Sequence, residues 1–213
     1  MSKRNPIVAF PGDLHCGHNV GLTPPQWQGR KDGIKDRTLN RLSKLQTRMW
    51  THYETICDTL RPDVAIWMGD MMDGKGQRSG GTEQITTDPL VQAEMAFECV
   101  DRMAAKVNIF LRGTPYHTGQ DTQFEDLFKL LGYGEVHDHR QINVAGVVFD
   151  CKHKVGSSST PYGGMTPLMK AETWNALWSE TDTVGRADMV VRGHIHRHLC
   201  GCRAVGSKLR WFM

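Results

Sequence analysis

The sequence predicts an α/β fold, because short apolar segments of strand length alternate with longer segments of helical periodicity. Residues 7–10, 64–68 and 107–111 are apolar runs typical of parallel strands that are buried on both faces. Residues 35–60 and 88–106 separate these runs, and their apolar positions recur at helical spacing. Ligands of α/β folds bind outside the carboxyl ends of the strands, so functional side chains are expected directly after each run.

Length and composition limit the class of protein. A chain of 213 residues with 39% hydrophobic residues predicts one globular domain over residues 1–213 with a sizeable core. The formal net charge of +3 is too small to indicate a dedicated nucleic-acid-binding protein. Six scattered cysteines are typical of reduced thiols, and the short first strand is neither a signal peptide nor a membrane span. We therefore expect a cytoplasmic protein without a membrane partner.

The later helices are predicted with their core faces. The helix that ends near Lys106 has Asp88 as its N-cap and Pro89 as its first residue. Its predicted core face consists of Leu90, Met95, Phe97, Val100 and Met103. A short helix is predicted over residues 124–131. The last helix, over residues 167–180, has a predicted core face of Leu168, Ala171, Trp174, Leu177 and Trp178.

The second half of the chain begins with a predicted β-hairpin. Its arms are residues 142–144 and 147–153, with a turn at Ala145-Gly146. Alternate side chains of the second arm share one face, which brings His153 to the point where the strand leaves the core. A further strand over residues 187–191 precedes a Gly-His-x-His segment, which is a candidate metal platform.

Side chains that can bind a metal follow every predicted strand, and all are expected on the same edge of one sheet. They are Asp13, His15, Asp70, Thr114, His117, His153, His194 and His196. Neutral imidazole is the commonest metal ligand in proteins. Imidazoles mixed with carboxylates suit manganese, iron, zinc or nickel better than calcium. The pattern therefore predicts a site for divalent transition-metal ions.

These motifs resemble the calcineurin-like metallophosphoesterases. The matching segments are Asp13-Leu14-His15-Cys16-Gly17, Gly69-Asp70-Met71-Met72-Asp73, His153 and Gly193-His194-Ile195-His196, in the family's order and over nearly the whole chain. The resemblance implies a two-layer β-sandwich flanked by helices, with a two-metal site at one edge. It implies that one ion binds Asp13, His15, Asp70 and His196, and that the second shares Asp70 and adds His153 and His194.

One segment departs from the family pattern and is similar to that of small phage-type members. The family has Gly-Asn-His followed by an acid after the third strand, whereas this chain has Gly113-Thr114-Pro115-Tyr116-His117. Thr114 stands at the position of the Asn that binds the second ion, so Thr114, His117 or water completes that ion's ligands. His117 is the predicted proton donor, or else a stabiliser of transition-state charge, and Asp73 is the predicted partner that orients it.

The expected activity is metal-dependent hydrolysis of phosphoesters. Diesters are favoured over monoesters, and nucleic acid or a nucleotide is among the candidate substrates. Two ions bridged by Asp70, with manganese the first candidate, would lower the pKa of a bridging water that attacks phosphorus. Arg78 and Arg197 are candidate substrate contacts, and His18 either contacts substrate or, as we favour, holds its loop. The long loop over residues 19–34 is expected to form a lid or a wall of the substrate site.

Two other interpretations stay open at this point. A catalytically impaired metal-binding module that binds nucleic acid or a protein partner would explain why the family's Asn is missing. A structural zinc site made from His196, His198, Cys200 and Cys202 is chemically reasonable, but its ligand spacing is too tight for one tetrahedral ion. Cys200 and Cys202 are more simply two thiols in a turn.

Overall fold

The computed structural model describes residues 4–29, 37–77, 79–115, 124–160 and 163–213. The chain forms two compact units. The N-terminal unit comprises residues 7–136, and the C-terminal unit comprises residues 137–213 together with residues 1–6. The predicted mixed α/β class, with two sheets and helices, is confirmed. A single metallophosphoesterase domain over residues 1–213 stays a prediction.

A four-stranded sheet forms the centre of the N-terminal unit. Its order is β1 (Val8–Ala9), β2 (Val64–Trp67), β3 (Val107–Leu111) and β4 (Glu135–His137). The first three strands are parallel, with Ala65 of β2 paired to Ala9 and Asn108. Ala65, Ile66 and Trp67 are completely buried, as expected for a parallel strand that is covered on both faces.

Among the described residues of this unit, the helices are α1 (Arg37–Leu60), α2 (Pro89–Met103) and α3 (Asp126–Leu130), with a short 3₁₀ helix at Pro25–Trp27. The Asp88 side chain caps α2 by accepting a hydrogen bond from the Leu90 backbone N–H, as predicted. The helix ends at Met103, three residues earlier than predicted, because Ala104 adopts a left-handed backbone conformation.

The predicted core face of α2 is correct except at its first residue. Met95, Val100 and Met103 are buried, and Phe97 packs on the aromatic rings of the core. Leu90 is 64% exposed, because it lies in the first turn, outside the face that is buried against the sheet.

The C-terminal unit contains a five-stranded sheet of order β5-β6-β7-β9-β8. β5 (His139–Val144) and β6 (Val147–Lys152) form the predicted antiparallel hairpin, in which Val144 pairs with Val147. β7 (Met189–Arg192) runs parallel to β6. The metal-binding motifs therefore follow strands of two sheets, and the expectation of one shared sheet was wrong.

The sequence analysis did not predict the last two strands. β8 (Gly201–Val205) and β9 (Lys208–Phe212) form an antiparallel hairpin, and β9 also pairs in parallel with β7. The prediction that Cys202 lies in a turn was wrong, because it pairs with Trp211 inside this hairpin. Charged residues on both arms conceal the apolar alternation that indicates a strand.

The last helix, α4 (Thr166–Glu180), buries a different face from the predicted one. Leu168 is buried as expected, but Trp174, Leu177 and Trp178 are each 44–48% exposed. Glu172 and Asn175 are buried instead, since Glu172 pairs with Arg203 and Asn175 accepts a hydrogen bond from the Ala187 backbone N–H. Hydrogen bonds to the sheet thus fix the orientation of this helix. None of the described helices is both long and apolar enough to cross a membrane.

Candidate functional site

In the N-terminal unit, backbone pairing continues beyond the ends of β1 and β2. The Asp13 N–H donates to the Gly69 carbonyl at 2.9 Å, and the His15 N–H donates to the Asp70 carbonyl at 3.0 Å. The Asp13-to-His15 segment therefore lies beside Asp70. Asp70 and His15 are buried, and Asp13 is half-buried. Backbone pairing thus brings these three residues together within one unit, and their role as metal ligands stays a prediction.

The ring of His15 is held by a buried carboxylate. His15 Nδ1 lies 3.0 Å from Asp73 Oδ1, and the Gln84 side-chain amide donates to Asp73 Oδ2 at 2.5 Å. With a proton on Nδ1, this contact leaves Nε2 as the lone-pair nitrogen that binds a metal. The Asp73 carboxylate therefore orients His15, and the prediction that Asp73 orients His117, which lies outside the described residues, stays a prediction.

Gln92 fixes the segment that carries Asp73, and it was not singled out from the sequence. It is completely buried on α2, and its amide makes a reciprocal pair with the Gly74 backbone, 2.8 Å in each direction. The same amide nitrogen donates to the Thr86 carbonyl at 2.7 Å. A glutamine among apolar residues of a helix has no sequence signature for this role. The one available signal was that Gln92 is a polar residue at a position of α2 that the helical pattern places in the core, where a polar side chain needs a hydrogen-bond partner.

The Asp70 carboxylate is oriented from the end of β3. Asp70 is 1% exposed, and its Oδ1 accepts a hydrogen bond of 2.6 Å from the Thr114 N–H. The Thr114 hydroxyl lies 3.2 Å from Oδ2. A Cβ atom on Gly113 would stand 2.0 Å from Asp70 Oδ1, so only glycine permits this approach. Thr114 contacts the proposed bridging ligand, and its own role as a metal ligand stays a prediction.

The structure describes only one of three further residues that were predicted to act in catalysis or substrate binding, namely His18. His117 and Arg78 lie outside the described residues. His18 Nδ1 accepts a hydrogen bond of 3.2 Å from the Val20 N–H, and the His18 backbone pairs with Gln84. These contacts support the favoured interpretation that His18 holds its loop, and its contact with substrate stays a prediction.

In the C-terminal unit, His153 and His194 lie side by side. Their ring centroids are 5.3 Å apart with an interplanar angle of 71°, and the Gly193 N–H donates to the His153 carbonyl at 2.9 Å. His153 is 1% exposed, His194 is partly buried, and His196 is exposed. Arg197 follows His196 and is also exposed. The predicted proximity of the motifs after β6 and β7 is therefore present within this unit.

Positive φ angles are concentrated at the predicted ligands. Nine described residues other than glycine have a positive φ, and five of them are Asp13, His15, Asp70, His194 and His196. The other four, Arg61, Ala104, Ala145 and Asp182, lie in turns or just after helices. This conformation is unfavourable for residues with a Cβ, and it persists at functional sites because the surrounding structure enforces it.

A buried ion-pair network lies in the sheet whose strand β6 ends directly before His153. The Asp150 carboxylate contacts His139 at 3.0 Å, Arg192 at 2.7 Å and Asn175 at 3.2 Å. Burial by itself raises the pKa of Asp150, but the hydrogen bond from His139 and the charge of Arg192 outweigh it and lower the pKa to about 2. Asp150 is therefore an ionised structural residue, and no sequence motif indicated it.

The chemistry of the donor set fits divalent transition-metal ions. Asp13, His15 and Asp70 of the N-terminal unit each offer a ligand atom, and so do His153, His194 and His196 of the C-terminal unit. Borderline cations prefer such nitrogen and oxygen donors. Among the described residues, no candidate metal group includes Cys200 or Cys202, which are exposed free thiols, so the structural zinc site receives no support.

No protein-family model and no curated protein matches the chain. Among solved structures, it is similar to an archaeal phosphodiesterase, at 13% identity and a TM-score of 0.45, over 96% of this chain and 81% of the other. It is similar to zinc-complexed Vps29 from Entamoeba histolytica, at 14% identity and a TM-score of 0.41, over 96% and 71%. A protein of unknown function from Aquifex aeolicus matches at 12% identity and a TM-score of 0.40, over 91% and 81%. At identities this low, function has to be argued from the side chains themselves.

Proposed function

We propose that the chain is a metallophosphoesterase that hydrolyses phosphoesters, preferentially diesters, with two divalent metal ions. The observation that carries the proposal is the enforced positive φ at five predicted ligands, spread over three separate loops. The His15–Asp73–Gln84 chain of hydrogen bonds adds to it, because metal-binding histidines typically donate their second ring nitrogen to a carboxylate.

The proposed ligands come from both units of the chain. They are Asp13, His15, Asp70, Thr114, His153, His194 and His196, with Asp70 shared by the two ions. Manganese is the first candidate, and iron, zinc and nickel fit the same donors. When bound, such ions would lower the pKa of water and offset negative charge on the phosphate oxygens.

The residues of the chain have separate tasks in this proposal. Asp73 keeps the Nδ1 proton of His15 in place and thereby fixes its tautomer. The Thr114 N–H keeps the Asp70 carboxylate in one orientation. His117 donates the proton to the leaving oxygen, which is general-acid catalysis. Arg197, Arg78 and His18 are the proposed contacts to the substrate phosphate.

Metal content and turnover measured together test the proposal. With manganese and bis-p-nitrophenyl phosphate, Asp70→Asn should lose both ions and reduce turnover at least 1,000-fold, roughly the effect of removing a group central to transition-state stabilisation. His15→Ala and His194→Ala should each reduce metal content, although their residues belong to different units. Metal is measured by elemental analysis after dialysis.

The matched control for these variants is His52→Ala, which removes an exposed histidine of α1. It should retain two ions and full turnover. Undiminished metal content and turnover in Asp70→Asn would contradict the proposal.

A second candidate function is a metal-binding module with impaired catalysis, which binds nucleic acid or a protein partner. The position of Thr114 favours it, because Thr114 replaces the metal-binding Asn of the family. Its hydroxyl lies within hydrogen-bonding distance of the Asp70 carboxylate and can donate to that carboxylate instead of binding an ion. Two bound ions without turnover of any phosphodiester would favour this function. Turnover that disappears in His117→Ala would favour the enzyme.

A further inference from the structure

The C-terminal unit contains a cavity that the proposed reaction does not use. Its volume is about 540 Å³, and it lies between the end of β6 and α4. The side chains that matter for its chemistry are Lys152, Lys154, Lys170, Trp174 and Trp178. Its size is within the range of small-molecule binding sites.

Two exposed tryptophans form one wall of this cavity. Trp174 and Trp178 are each 44% exposed, and their stacked rings have centroids 5.5 Å apart. They lie one helical turn apart on α4, because they are four residues apart in sequence. Large aromatic groups that stay in water beside a cavity are typical of binding surfaces.

The cavity is lined by positively charged side chains that no described carboxylate neutralises. Lys152, Lys154 and Lys170 are exposed and form no ion pair with any described residue. Arg192 also lines the cavity, but Asp150 neutralises it. None of the described residues that line the cavity is acidic. The three lysines therefore attract an anionic ligand.

We propose that this cavity binds single-stranded nucleic acid. Trp174 and Trp178 stack on unpaired bases, and the lysines contact the phosphates, which is the combination that binds single strands without sequence preference. Lys170, Trp174 and Trp178 follow one another at about 6 Å along the axis of α4. Duplex DNA does not fit this mode, because its bases are already stacked and paired.

The strand end that carries two of the lysines also carries a proposed metal ligand. Lys152 and Lys154 flank His153 in sequence, with their side chains exposed while the His153 ring is buried. A bound strand would therefore have its phosphates beside the chain segment of a metal ligand. The binding proposal does not depend on the proposed hydrolysis, since the lysines and tryptophans bind no metal.

Binding by the full-length protein in EDTA tests the proposal without catalysis. The probe is a fluorescein-labelled oligothymidylate of about 12 nucleotides, a typical site size, followed by anisotropy and by quenching of tryptophan fluorescence. Trp174→Ala and Trp178→Ala should each raise Kd about tenfold, the loss expected for one stacked base. Lys152→Gln should reduce the slope of log K against log salt by about 0.7.

Matched controls exist on β9 of the same unit. Trp211 is 43% exposed and lies outside the cavity, so Trp211→Ala should leave Kd unchanged, and so should Lys208→Gln. Circular dichroism checks folding, and Trp174→Phe should recover most of the affinity if Trp174→Ala unfolds. No binding, an equal loss in Trp211→Ala, or equally tight binding of duplex DNA, thymidine monophosphate or polyglutamate would overturn the proposal.

Discussion

The buried carboxylates Asp70 and Asp73 of the N-terminal unit and Asp150 of the C-terminal unit have different kinds of neighbours. In the N-terminal unit they belong to the proposed metal site: Asp73 contacts the ring of His15, and the Asp70 carboxylate accepts a hydrogen bond from the Thr114 backbone N–H. In the C-terminal unit, Asp150 contacts His139, Arg192 and Asn175, and none of these three is a proposed metal ligand. The ordered polar network of this unit surrounds Asp150, which is not a proposed ligand.

This difference indicates where each unit is sensitive to substitution. Ligand geometry in the N-terminal unit depends on a few buried hydrogen bonds, so small changes there should alter metal affinity. In the C-terminal unit the corresponding network stabilises the sheet, so changes there should alter folding. Metal affinity and unfolding free energy should therefore respond separately, and each can be measured on the same variant.

The largest effect is expected in the C-terminal unit, from Asp150→Asn. This change leaves the Arg192 guanidinium buried without its charge partner, which costs about 3–5 kcal/mol of unfolding free energy. Asp58→Asn is the control: it breaks an Arg102 ion pair of similar length whose carboxylate is 66% exposed, and it should lower the unfolding free energy far less, because water screens an exposed pair. Urea unfolding measures both. Equal losses would show that burial of the Asp150 pair does not matter.

The next effect is expected in the N-terminal unit, from Gly113→Ala. The added Cβ would stand 2.0 Å from Asp70 Oδ1, so the backbone must move by roughly 1 Å, and a displacement of that size costs about 100-fold in rate. Gly156→Ala is the control, because its nearest neighbour for an added Cβ lies 3.9 Å away. Phosphodiester turnover compares them, and full turnover in Gly113→Ala would contradict the tight approach.

Acid should destabilise the C-terminal unit through Asp150. The pKa of this group is lowered from 3.8 to about 2, so its contribution to stability is present above pH 4 and is lost as the pH falls towards 2. The difference corresponds to about 2 kcal/mol. Unfolding free energies of the wild type and Asp150→Asn should converge by about this amount between pH 5 and 2. Parallel curves would contradict the lowered pKa.

The sequence was informative where backbone geometry alone determines the outcome. Parallel strands that are buried on both faces are continuously apolar, so β2 and β3 were predicted to within a residue. The candidate site residues after the strands were predicted because the carboxyl ends of parallel strands lie at the same edge of a sheet. Asp13, His15 and Asp70 are examples.

The sequence was uninformative where polar tertiary contacts override a pattern. The core face of α4 was misassigned because Glu172 and Asn175 are buried by hydrogen bonds that leave no periodic signal. Gln84 and Gln92 were missed for the same reason, since a buried amide is recognised by its partners and not by its neighbours in the chain. For the same reason the sequence did not indicate the proposed binding cavity. Its two tryptophans, Trp174 and Trp178, were predicted to lie in the core, whereas both are exposed.

The smallest and most selective effect is expected from Asp73→Asn. The amide keeps the shape of the side chain, and Gln84 can rotate its own amide to maintain that contact. The charge that holds the His15 proton is lost, and such changes typically weaken metal affinity 10- to 100-fold. Because His15 is a proposed ligand of one ion only, metal titration should show one site weakened and the other unchanged.

The control for this variant is Asp101→Asn, which removes an exposed carboxylate that accepts a hydrogen bond from the Tyr133 hydroxyl. It changes the net charge equally and should leave both sites unchanged. Equal weakening of both sites in Asp73→Asn would mean that Asp73 acts on the whole centre and not through His15. Unchanged affinity at both would mean that the Asp73 contact does not determine how His15 binds its ion, and the contrast between the two units would disappear.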